Sequence, residues 1–451
     1  MIAAIKNEMT NDADILIVGA GAAGLAAARE LSFSKLSVVV LEARNRIGGR
    51  INTHLDSEFA GPIELGAEFV HGLAPEIFEL ADRTPLTLLE VPNVHWYFHN
   101  AVLSRTNEFW SNIEEAMDEL ADYKGADESF AEFLDNYIHR HNLTDARSMA
   151  TLYVEGFHAA HSDRISVKGL IKTNRAAAEI DDERQFRPST GYAPLAQKLH
   201  DEAVEQGASF RFETVVREIE WSAGTVTVTT TSGERFKARR LLVTLPLGVL
   251  QSGDVSFTPR LKAKEEAAQS LPMGQVVKVL LRFREPFWEA LSLPLDDGQR
   301  GNLKDFAFIH APDEMPPMWW TQLPVRSPLL VGWAGGTRAE ELLKASQDEL
   351  LDRSLAALSH IFAMPKNLLE DLLVNFYCHN WTKDPFSLGA YSYIPIGGLH
   401  AQAELSEPIE NTIYFAGEAA NTAGHHGTVH GAIQSGLRAA QTIKCSPGTQ
   451  A

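Results

Sequence analysis

The sequence predicts an α/β fold in which one domain is built from segments at both ends of the chain. The block from Asp14 to Glu42 contains an apolar strand, a glycine turn, an alanine-rich helix and a second apolar strand, Val38 to Leu41. This order is typical of a right-handed βαβ unit. A further strand and helix, from Ile413 to Ile443, lie near the other end. We expect these separated segments to belong to one domain.

The composition limits the class of protein. With 451 residues, 45% hydrophobic and 22% charged, the chain is long enough for two or three globular domains. A net charge of −19 argues against a nucleic-acid partner and is compatible with cationic small molecules. No apolar run approaches the ~20 residues of a spanning helix, and the start shows no signal-peptide pattern. Only two cysteines are present, which fits a reducing compartment. We therefore predict a cytoplasmic monomer or homodimer, without a membrane or a metal site.

The middle of the chain changes character twice. Helical patterns dominate from about Pro75 to Ala178, and the charged stretch from Glu179 to Arg184 is expected to be a solvated loop or the mouth of a pocket. The alternation from Thr225 to Thr231 predicts an antiparallel strand, followed by a hairpin turn and the strand Leu241 to Leu245. These changes predict two interleaved domains. The first comprises 12–75, 190–270 and 387–451, and the second comprises 76–189 and 271–386.

The glycine turn of the first unit matches the GxGxxG pattern. Gly19 permits the tight turn, Gly21 permits close approach to a pyrophosphate, and Gly24 permits close packing of helix on strand. Glu42 ends the next strand, where a carboxylate can accept hydrogen bonds from ribose hydroxyls and disfavours a 2′-phosphate. The pattern therefore predicts NAD or FAD rather than NADP, and does not separate those two.

A basic, glycine-rich segment follows directly. Arg44 and Arg50 flank the pair Gly48 and Gly49, which places guanidinium groups and bare backbone beside the expected pyrophosphate. This arrangement resembles the FAD site of the amine oxidase and phytoene desaturase superfamily. The resemblance implies a Rossmann-like FAD-binding domain of the glutathione-reductase type, with an interleaved α+β substrate-binding domain.

Two motifs near the C-terminus extend the resemblance. One is the strand Ile413 to Phe415 that leads to Gly417 and Glu418, whose carboxylate could bind ribityl or phosphate-linked hydroxyls. The other is a helix start at Gly427-Thr428-Val429, whose free N–H groups would face negative charge on the flavin. Both resemble the second FAD-binding motif of flavin amine oxidases, and the stretch that begins at Thr428 is similar to flavin-dependent histone demethylases and spermine oxidases. The resemblance implies that FAD contacts come from Gly19, Gly21, Ala23, Gly24, Glu42, Ala43, Arg44, Gly49, Arg50, Gly66, Ala67, Glu68, Val216, Trp381, Gly417, Glu418, Thr428 and Val429.

Lys278 stands inside the apolar strand that begins near Val276. A buried ammonium needs a partner, so Lys278 either points to solvent or has a special role. The stretch resembles the monoamine oxidase sequence in which a lysine holds a water against flavin N5. On that resemblance Lys278 is catalytic and assists reoxidation by oxygen.

An aromatic segment from His379 to Ser392 completes the resemblance. It implies that Trp381 packs beside the flavin and that Tyr391 forms one wall of an aromatic cage for the amine. Monoamine oxidases carry a flavin-linked cysteine where this chain has Ala390, so non-covalent FAD is expected. The second cage tyrosine corresponds to Thr428, which leaves the cage half open.

The segment from Glu64 to Gly72 resembles a loop of acetylpolyamine and spermine oxidases. The resemblance implies that His71 faces the substrate tunnel and binds or deprotonates the substrate amine. Plant polyamine oxidases carry glutamates at the positions of His71 and His161, so strict polyamine specificity is not implied. No arginine lies near Phe69 to hold a substrate carboxylate, which disfavours amino acids.

The resemblance as a whole implies an FAD-dependent amine oxidase. A neutral amine, polyamine-like in the first place, would transfer hydride to flavin N5, and oxygen would accept the electrons to give hydrogen peroxide. An FAD-dependent desaturase or porphyrinogen oxidase is the alternative enzyme class. A non-catalytic flavoprotein or scaffold is the alternative outside enzymes.

Overall fold

A computed structural model describes residues 10–105, 117–141, 144–295 and 300–446. The last five residues of the first predicted domain, and short stretches of the second, lie outside the described residues. The helices are α1 (Ala22–Ser32), α2 (Pro75–Ala81), α3 (Phe130–His141), α4 (Thr144–His158), α5 (Val167–Ala178), α6 (Ala193–Glu205), α7 (Leu247–Ser252), α8 (Lys262–Gln269), α9 (Gly336–Leu342), α10 (Gln347–Ile361), α11 (Lys366–Leu372), α12 (Leu399–Ser406) and α13 (Val429–Cys445).

The strands form two large sheets and several small ones. They are β1 (Thr10–Val18), β2 (Val38–Leu41), β3 (Thr53–His54), β4 (Ile63–Glu64), β5 (Val70–His71), β6 (Leu88–Glu90), β7 (His95–His99), β8 (Val102–Ser104), β9 (Gln185–Pro188), β10 (Ser209–Arg211), β11 (Val216–Ser222), β12 (Thr225–Thr230), β13 (Arg235–Val243), β14 (Ser256–Thr258), β15 (Met273–Gly274), β16 (Val276–Phe283), β17 (Ser292–Pro294), β18 (Arg300–Asn302), β19 (Phe308–His310), β20 (Met318–Trp320), β21 (Leu329–Gly335), β22 (Leu373–Cys378), β23 (Tyr391–Ser392) and β24 (Ile413–Phe415).

The first large sheet has the order β10-β2-β1-β13-β12-β11-β14, and β24 pairs with β13. β10, β2, β1, β13 and β24 are mutually parallel, while β12 is antiparallel to both of its neighbours. Strands from both ends of the chain therefore lie in one sheet. β13 begins earlier than expected because its first half alternates between exposed and buried side chains, whereas Leu241 to Val243 is buried throughout.

The second large sheet has the order β22-β16-β21-β20-β19-β7-β8. The prediction that helices dominate from Pro75 to Ala178 is wrong for 88–104, which supplies three short strands, two of them in this sheet. Local periodicity is too short there to identify a strand, since β8 has only three residues. The strands of the two large sheets fall on opposite sides of the predicted domain boundaries, and the boundaries themselves stay a prediction.

Helix packing on the first sheet depends on close backbone contact. α1 packs against α6 and α13, and a Cβ at Gly436 of α13 would lie 2.2 Å from the carbonyl oxygen of Ala23. The absence of a side chain there brings the two helices together over the glycine turn. Within the described ranges, no helix combines the length and apolar character needed to cross a membrane.

Candidate active site

One cavity of about 1580 Å³ extends from the carboxyl ends of β1 and β2 to the second large sheet. Small-molecule sites usually measure roughly 300–1,000 Å³, so this cavity has room for a dinucleotide together with a substrate. Every site residue predicted from the sequence except Gly24 lines it. Residues from distant parts of the chain thus meet around one space.

The glycine cradle has the shape that a pyrophosphate requires. Gly19 has φ of +105°, which is open to glycine and strained for other residues. A Cβ at Gly21, the N-cap of α1, would meet no protein atom within 4 Å although this position lines the cavity. A Cβ at Gly24 would lie 2.0 Å from the carbonyl oxygen of Gly19, so Gly24 serves the packing of helix on turn. The open space at a helix start therefore fits a phosphate.

Glu42 is oriented for ribose hydroxyls. Its side chain is buried, and its two carboxylate oxygens accept hydrogen bonds from the backbone N–H groups of Ala20 (2.7 Å) and Arg44 (2.8 Å). Each oxygen retains a second lone pair that can accept a hydroxyl donor. Ala43 and Val216 also line the cavity, and Val216 lies two residues after Thr214, whose N–H donates to the carbonyl oxygen of Glu42 at 2.8 Å. The residues predicted for the adenosine end therefore line one cavity, and their contact with adenosine stays a prediction.

The two predicted arginines, Arg44 and Arg50, both form ion pairs within the protein. An Nη of Arg44 lies 2.7 Å from Asp384, and an Nη of Arg50 lies 2.9 Å from Glu418. Arg50 also donates to the carbonyl oxygen of Ala390, at 2.7 Å. Both guanidinium groups thus join the N-terminal segment to the C-terminal one, while both residues line the cavity. Their contact with pyrophosphate stays a prediction.

Glu418 has a structural role that the sequence did not indicate. Its buried carboxylate accepts hydrogen bonds from Arg50, from the hydroxyl of Ser392 (2.7 Å) and from the N–H of Gly427 (3.0 Å). Burial opposes ionisation, yet Arg50 and these donors hold the pKa of Glu418 below its usual range. The carboxylate thus joins the segments that carry Arg50, Ser392 and Gly427. Direct binding of a cofactor hydroxyl by Glu418 stays a prediction.

Thr428 is the N-cap of α13. Its hydroxyl accepts a hydrogen bond from the N–H of Gly431 (2.9 Å) and donates one to the carbonyl oxygen of His425 (2.7 Å). An N-cap threonine fixes the start of a helix, whose first N–H groups lack intrahelical partners. Because the hydroxyl already serves the helix, the structure gives Thr428 a capping role beside its predicted catalytic one. Val429 follows at the first helical position and lines the cavity.

The two predicted aromatic residues, Trp381 and Tyr391, both pack in the apolar cluster that contains Ala390. Trp381 is buried, and its indole N–H donates to the carbonyl oxygen of Leu65 at 3.0 Å. Tyr391 donates its hydroxyl to the carbonyl oxygen of Phe157 at 2.8 Å. Trp381 and Ala390 belong to one apolar cluster, against which Tyr391 packs. The two rings are therefore held in place by backbone acceptors, as side chains that orient a substrate must be.

Lys278 is buried on β16, so the alternative of a solvent-facing lysine is wrong. Its side chain is 3% exposed, and its Nζ lies 2.6 Å from an oxygen of Glu68 and 3.1 Å from the carbonyl oxygen of Gly66. Glu68 also pairs with the buried Arg187, at 2.9 Å. Neither Glu68 as a lysine partner nor Arg187 was identified from the sequence. No local pattern could reveal them, because the three residues lie on separate segments.

A cluster of histidines lines the cavity, and one of its members, His71, was predicted from the sequence. The cluster comprises His71, His158, His425, His426 and His430, all of which line the cavity. Burial lowers the pKa of His71 to about 4 and that of His426 to about 4. Burial, with a neighbouring histidine second, lowers the pKa of His158 to about 3 and that of His430 to about 3. The site therefore offers neutral imidazoles, which can accept a hydrogen bond.

His161 does not belong to this site. It lies outside the set of cavity-lining residues, and its Nε2 lies 2.7 Å from Glu340. His161, which the resemblance aligns with a glutamate of plant polyamine oxidases, therefore lies away from this cavity. His158, three residues earlier and at the end of α4, lines the cavity instead. The turn that follows α4 carries His161 away from the cavity.

Carboxylates occur at another part of the cavity wall. Asp182 and Glu183 line it, which supports the predicted pocket mouth between Glu179 and Arg184. Burial foremost, with Glu183 and Asp181 adding, raises the pKa of Asp182. Among the described residues, neither Asp182 nor Glu183 forms an ion pair. Uncompensated negative charge here favours a cationic ligand.

The fold and the site together define a flavin-dependent oxidoreductase with an aromatic substrate chamber. The family description "Flavin containing amine oxidoreductase" matches residues 22–444. The chain belongs to this family and is an FAD-dependent amine oxidase. It is 29% identical to polyamine oxidase 4 of Oryza sativa subsp. japonica, over 98% of this chain and 91% of that protein. It is 30% identical to lysine-specific histone demethylase 1 homolog 2 of the same organism, over 96% of this chain and 57% of that protein.

Solved structures agree on the fold. A putrescine oxidase bound to putrescine superposes with a TM-score of 0.80 at 23% identity, and the match covers 97% of this chain and 100% of that one. Cyclohexylamine oxidase from Brevibacterium oxydans IH-35A gives a TM-score of 0.77 at 23% identity, covering 96% and 99%. The predicted fold class, the FAD cofactor and the enzyme class are thereby confirmed.

Proposed function

We propose that this enzyme oxidises a polyamine or a related primary or secondary amine with oxygen as the acceptor. In balanced form, amine, oxygen and water give an aldehyde, the released amine or ammonia, and hydrogen peroxide. The observation that carries the proposal is the meeting of Lys278, Trp381 and Tyr391 around a cavity with uncompensated carboxylates at its wall. The similarity to a plant polyamine oxidase supports the same substrate class.

Each residue of the chamber has a defined part in this proposal. FAD, when bound, supplies the acceptor for the hydride that leaves the α-carbon of the amine. Trp381 and Tyr391 hold that carbon in place and exclude water. Neutral His71 can accept a hydrogen bond from an amine N–H, because its lowered pKa of about 4 keeps it unprotonated at neutral pH. The proton that a cationic amine must lose before it can donate hydride leaves to solvent.

Lys278 serves the second half of the reaction. Its ammonium lines the cavity beside Gly66, a residue expected to contact the cofactor. A fixed positive charge next to the cofactor ring favours transfer of electrons to oxygen because it stabilises the negative charge that develops. The role is one of electrostatic support, without a covalent bond to the lysine.

The cofactor is held without a covalent bond in this proposal. Ala390 occupies the position beside the predicted ring contacts, and neither Cys378 nor Cys445 lines the cavity. Acid or heat denaturation should therefore release all of the FAD into the supernatant. Cytoplasmic location and a monomeric or homodimeric state stay predictions.

A comparison of amines with different numbers of charges tests the substrate class. We expect Asp182→Asn combined with Glu183→Gln to raise the KM for a polyamine at least about tenfold, because one charge contact contributes ~1.4 kcal/mol or more in a partly buried site. The KM for a monoamine should stay nearly constant. Asp181→Asn is the matched control, since Asp181 belongs to the same turn and does not line the cavity. Equal losses for both amines would remove the two carboxylates from substrate binding.

A further inference from the structure

The carboxylate of Glu68 lies between two buried cations. On one side, its Oε2 lies 2.6 Å from Nζ of Lys278, and both side chains are 3% exposed. On the other side, its Oε1 accepts a hydrogen bond from Nε of Arg187 at 3.0 Å. Glu68 belongs to the segment between β4 and β5, whereas Lys278 and Arg187 belong to β16 and β9. The carboxylate thus joins three separate parts of the chain.

The two oxygens of Glu68 have different tasks. Oε1 accepts from Arg187 and also from the indole N–H of Trp320, at 3.0 Å. Arg187 is itself fixed by the carbonyl oxygens of Thr321 (3.2 Å) and Leu323 (2.7 Å). This rigid set of donors fixes the carboxylate plane and leaves Oε2 to Lys278.

Lys278 keeps one donor for the cavity. An ammonium has three N–H groups, and two of them have partners in Glu68 and the carbonyl oxygen of Gly66. Since Lys278 lines the cavity, the third is available to a water or to the cofactor. The ring of Trp320, centred 5.9 Å from Nζ, adds a favourable face for a cation.

We propose that Glu68 is a positioning residue that holds the ammonium of Lys278 in a buried ion pair and directs it toward the cofactor ring. A charge enclosed by protein needs a partner of opposite sign, because burial disfavours the charged form. Glu68 and Glu64 both interact electrostatically with Lys278, and the Trp320 ring lies beside it. Among these, only Glu68 is a carboxylate in direct contact with it. The inference rests on the proposed role of Lys278 beside FAD.

The test measures the midpoint potential of the bound FAD as a function of pH, in holoenzyme reduced with dithionite. No amine is needed, so the result does not depend on the proposed substrate. In Glu68→Gln the ammonium of Lys278 loses its ion-pair partner, and the potential curve should show an added inflection. The rate of reoxidation by oxygen should fall at least about tenfold on the alkaline side of that inflection. The unchanged enzyme should show neither effect.

A double-mutant cycle separates positioning from structure. In a Lys278→Met background, Glu68→Gln should leave the shape of the potential curve unaltered, because no amine remains to titrate. Glu202→Gln is the matched control, since Glu202 is a buried carboxylate that also pairs with two cations, Arg29 and Arg83, but does not line the cavity. It should produce no inflection.

Two results would overturn the proposal. One is a Glu68→Gln enzyme whose potential and reoxidation curves parallel those of the unchanged enzyme, with only a lower melting temperature. The other is an inflection that persists in the Lys278→Met background. If Glu68→Gln fails to fold, Glu68→Asp keeps the charge and should show no added inflection, although its shorter side chain slows reoxidation. A new inflection in Glu68→Asp would likewise contradict the proposal.

Discussion

The two halves of the cavity are built by different means. The half around the glycine cradle is built mainly on the stretch Gly19 to Arg50, in which glycines create the space and Glu42 is oriented by its own neighbours, with Val216 added from β11. The half around Lys278 and the histidine cluster consists of side chains from distant segments, held by buried ion pairs and neutral imidazoles. The first half depends on backbone shape, and the second depends on charge.

The largest expected effect is a pH dependence of the free energy of unfolding that comes from the histidine cluster. It separates the two halves of the cavity, because the stretch Gly19 to Arg50 contains no histidine. Unfolded histidine takes up a proton near pH 6.5, whereas His71, His158, His426 and His430 do so only near pH 3 to 4 when folded. Their contribution to stability is therefore complete above pH 6.5 and is lost as the pH falls toward 4. At pH 5 each of these four histidines lowers the free energy of unfolding by about 2 kcal/mol, which is about 8 kcal/mol for the four together.

Glu64 acts in the opposite direction. Burial raises its pKa to about 7, so acidification from pH 7.5 to 5 adds about 2 kcal/mol of stability. For these five groups the net loss in the free energy of unfolding is then about 6 kcal/mol between these two values, measured by denaturant titration. Burial also lowers the pKa of His95 to about 4 and that of His310 to about 3, so the whole protein should lose more. His158→Gln should reduce this dependence, whereas replacement of the exposed His54 should not. A free energy of unfolding that is constant from pH 7.5 to 5 would contradict the neutral cluster.

Next in size is a change in the packing of the cradle. Gly24→Ala should lower the free energy of unfolding by about 3 kcal/mol or more, because a Cβ placed 2.0 Å from the oxygen of Gly19 forces the backbone apart. Gly156→Ala is the matched control in another helix, where a Cβ meets nothing within 4 Å. That control should be neutral or up to about 1 kcal/mol more stable. Equal effects of the two substitutions would disprove the close packing.

A smaller effect, on FAD binding, is expected for a substitution of Gly21. This glycine leaves space for the cofactor and is not needed for packing within the protein. Gly21→Ala should weaken FAD binding at least about tenfold, or ~1.4 kcal/mol, because the added methyl group occupies the pyrophosphate position. Folding should be preserved since no protein atom is near. The measurement is the FAD retained per protein after gel filtration, with circular dichroism as the folding control. Full retention of FAD would move the pyrophosphate away from this turn.

The smallest effect tests the other half of the cavity. Lys278→Met should slow turnover in oxygen by an order of magnitude or more, about 1.4 kcal/mol of barrier, with less effect on anaerobic reduction. Lys264→Met is the control, because Lys264 is also buried and bonded to the carbonyl oxygen of Glu407, but does not line the cavity. Stopped-flow absorbance separates the two half-reactions. An unchanged oxidative rate would remove Lys278 from the mechanism.

The same division explains what the sequence could predict. The cradle is readable because its requirements are local: a glycine where φ is +105°, another where a helix meets a turn, and an acid at the end of the next strand. Apolar strands at both ends of the chain were identified from their sequence, and they lie in one sheet. Lys278, Trp381 and Tyr391 were found through resemblance, and the structure brings them to one cavity.

What the sequence missed depends on contacts between distant residues. Arg187 lies 119 residues from Glu68 along the chain, and no spacing rule connects them. Thr428 was read as an open cage position, yet a threonine before a helix is also an N-cap, and its hydrogen bonds show that role. His158 lines the cavity at the end of α4, whereas His161 follows the helix and lies outside the lining. Tertiary packing decides which of two neighbouring histidines reaches a cavity, and local sequence patterns do not encode it.

The most direct test of the central claim is anaerobic mixing of the purified holoenzyme with amines while the flavin absorbance is followed. A panel of polyamines, monoamines, nicotine-like amines and amino acids covers the chemical classes. We expect a polyamine to bleach the flavin fastest, and admission of oxygen to restore the colour with one equivalent of hydrogen peroxide per aldehyde. A flavin that no amine bleaches, but that a polyene or a porphyrinogen does, would contradict the account.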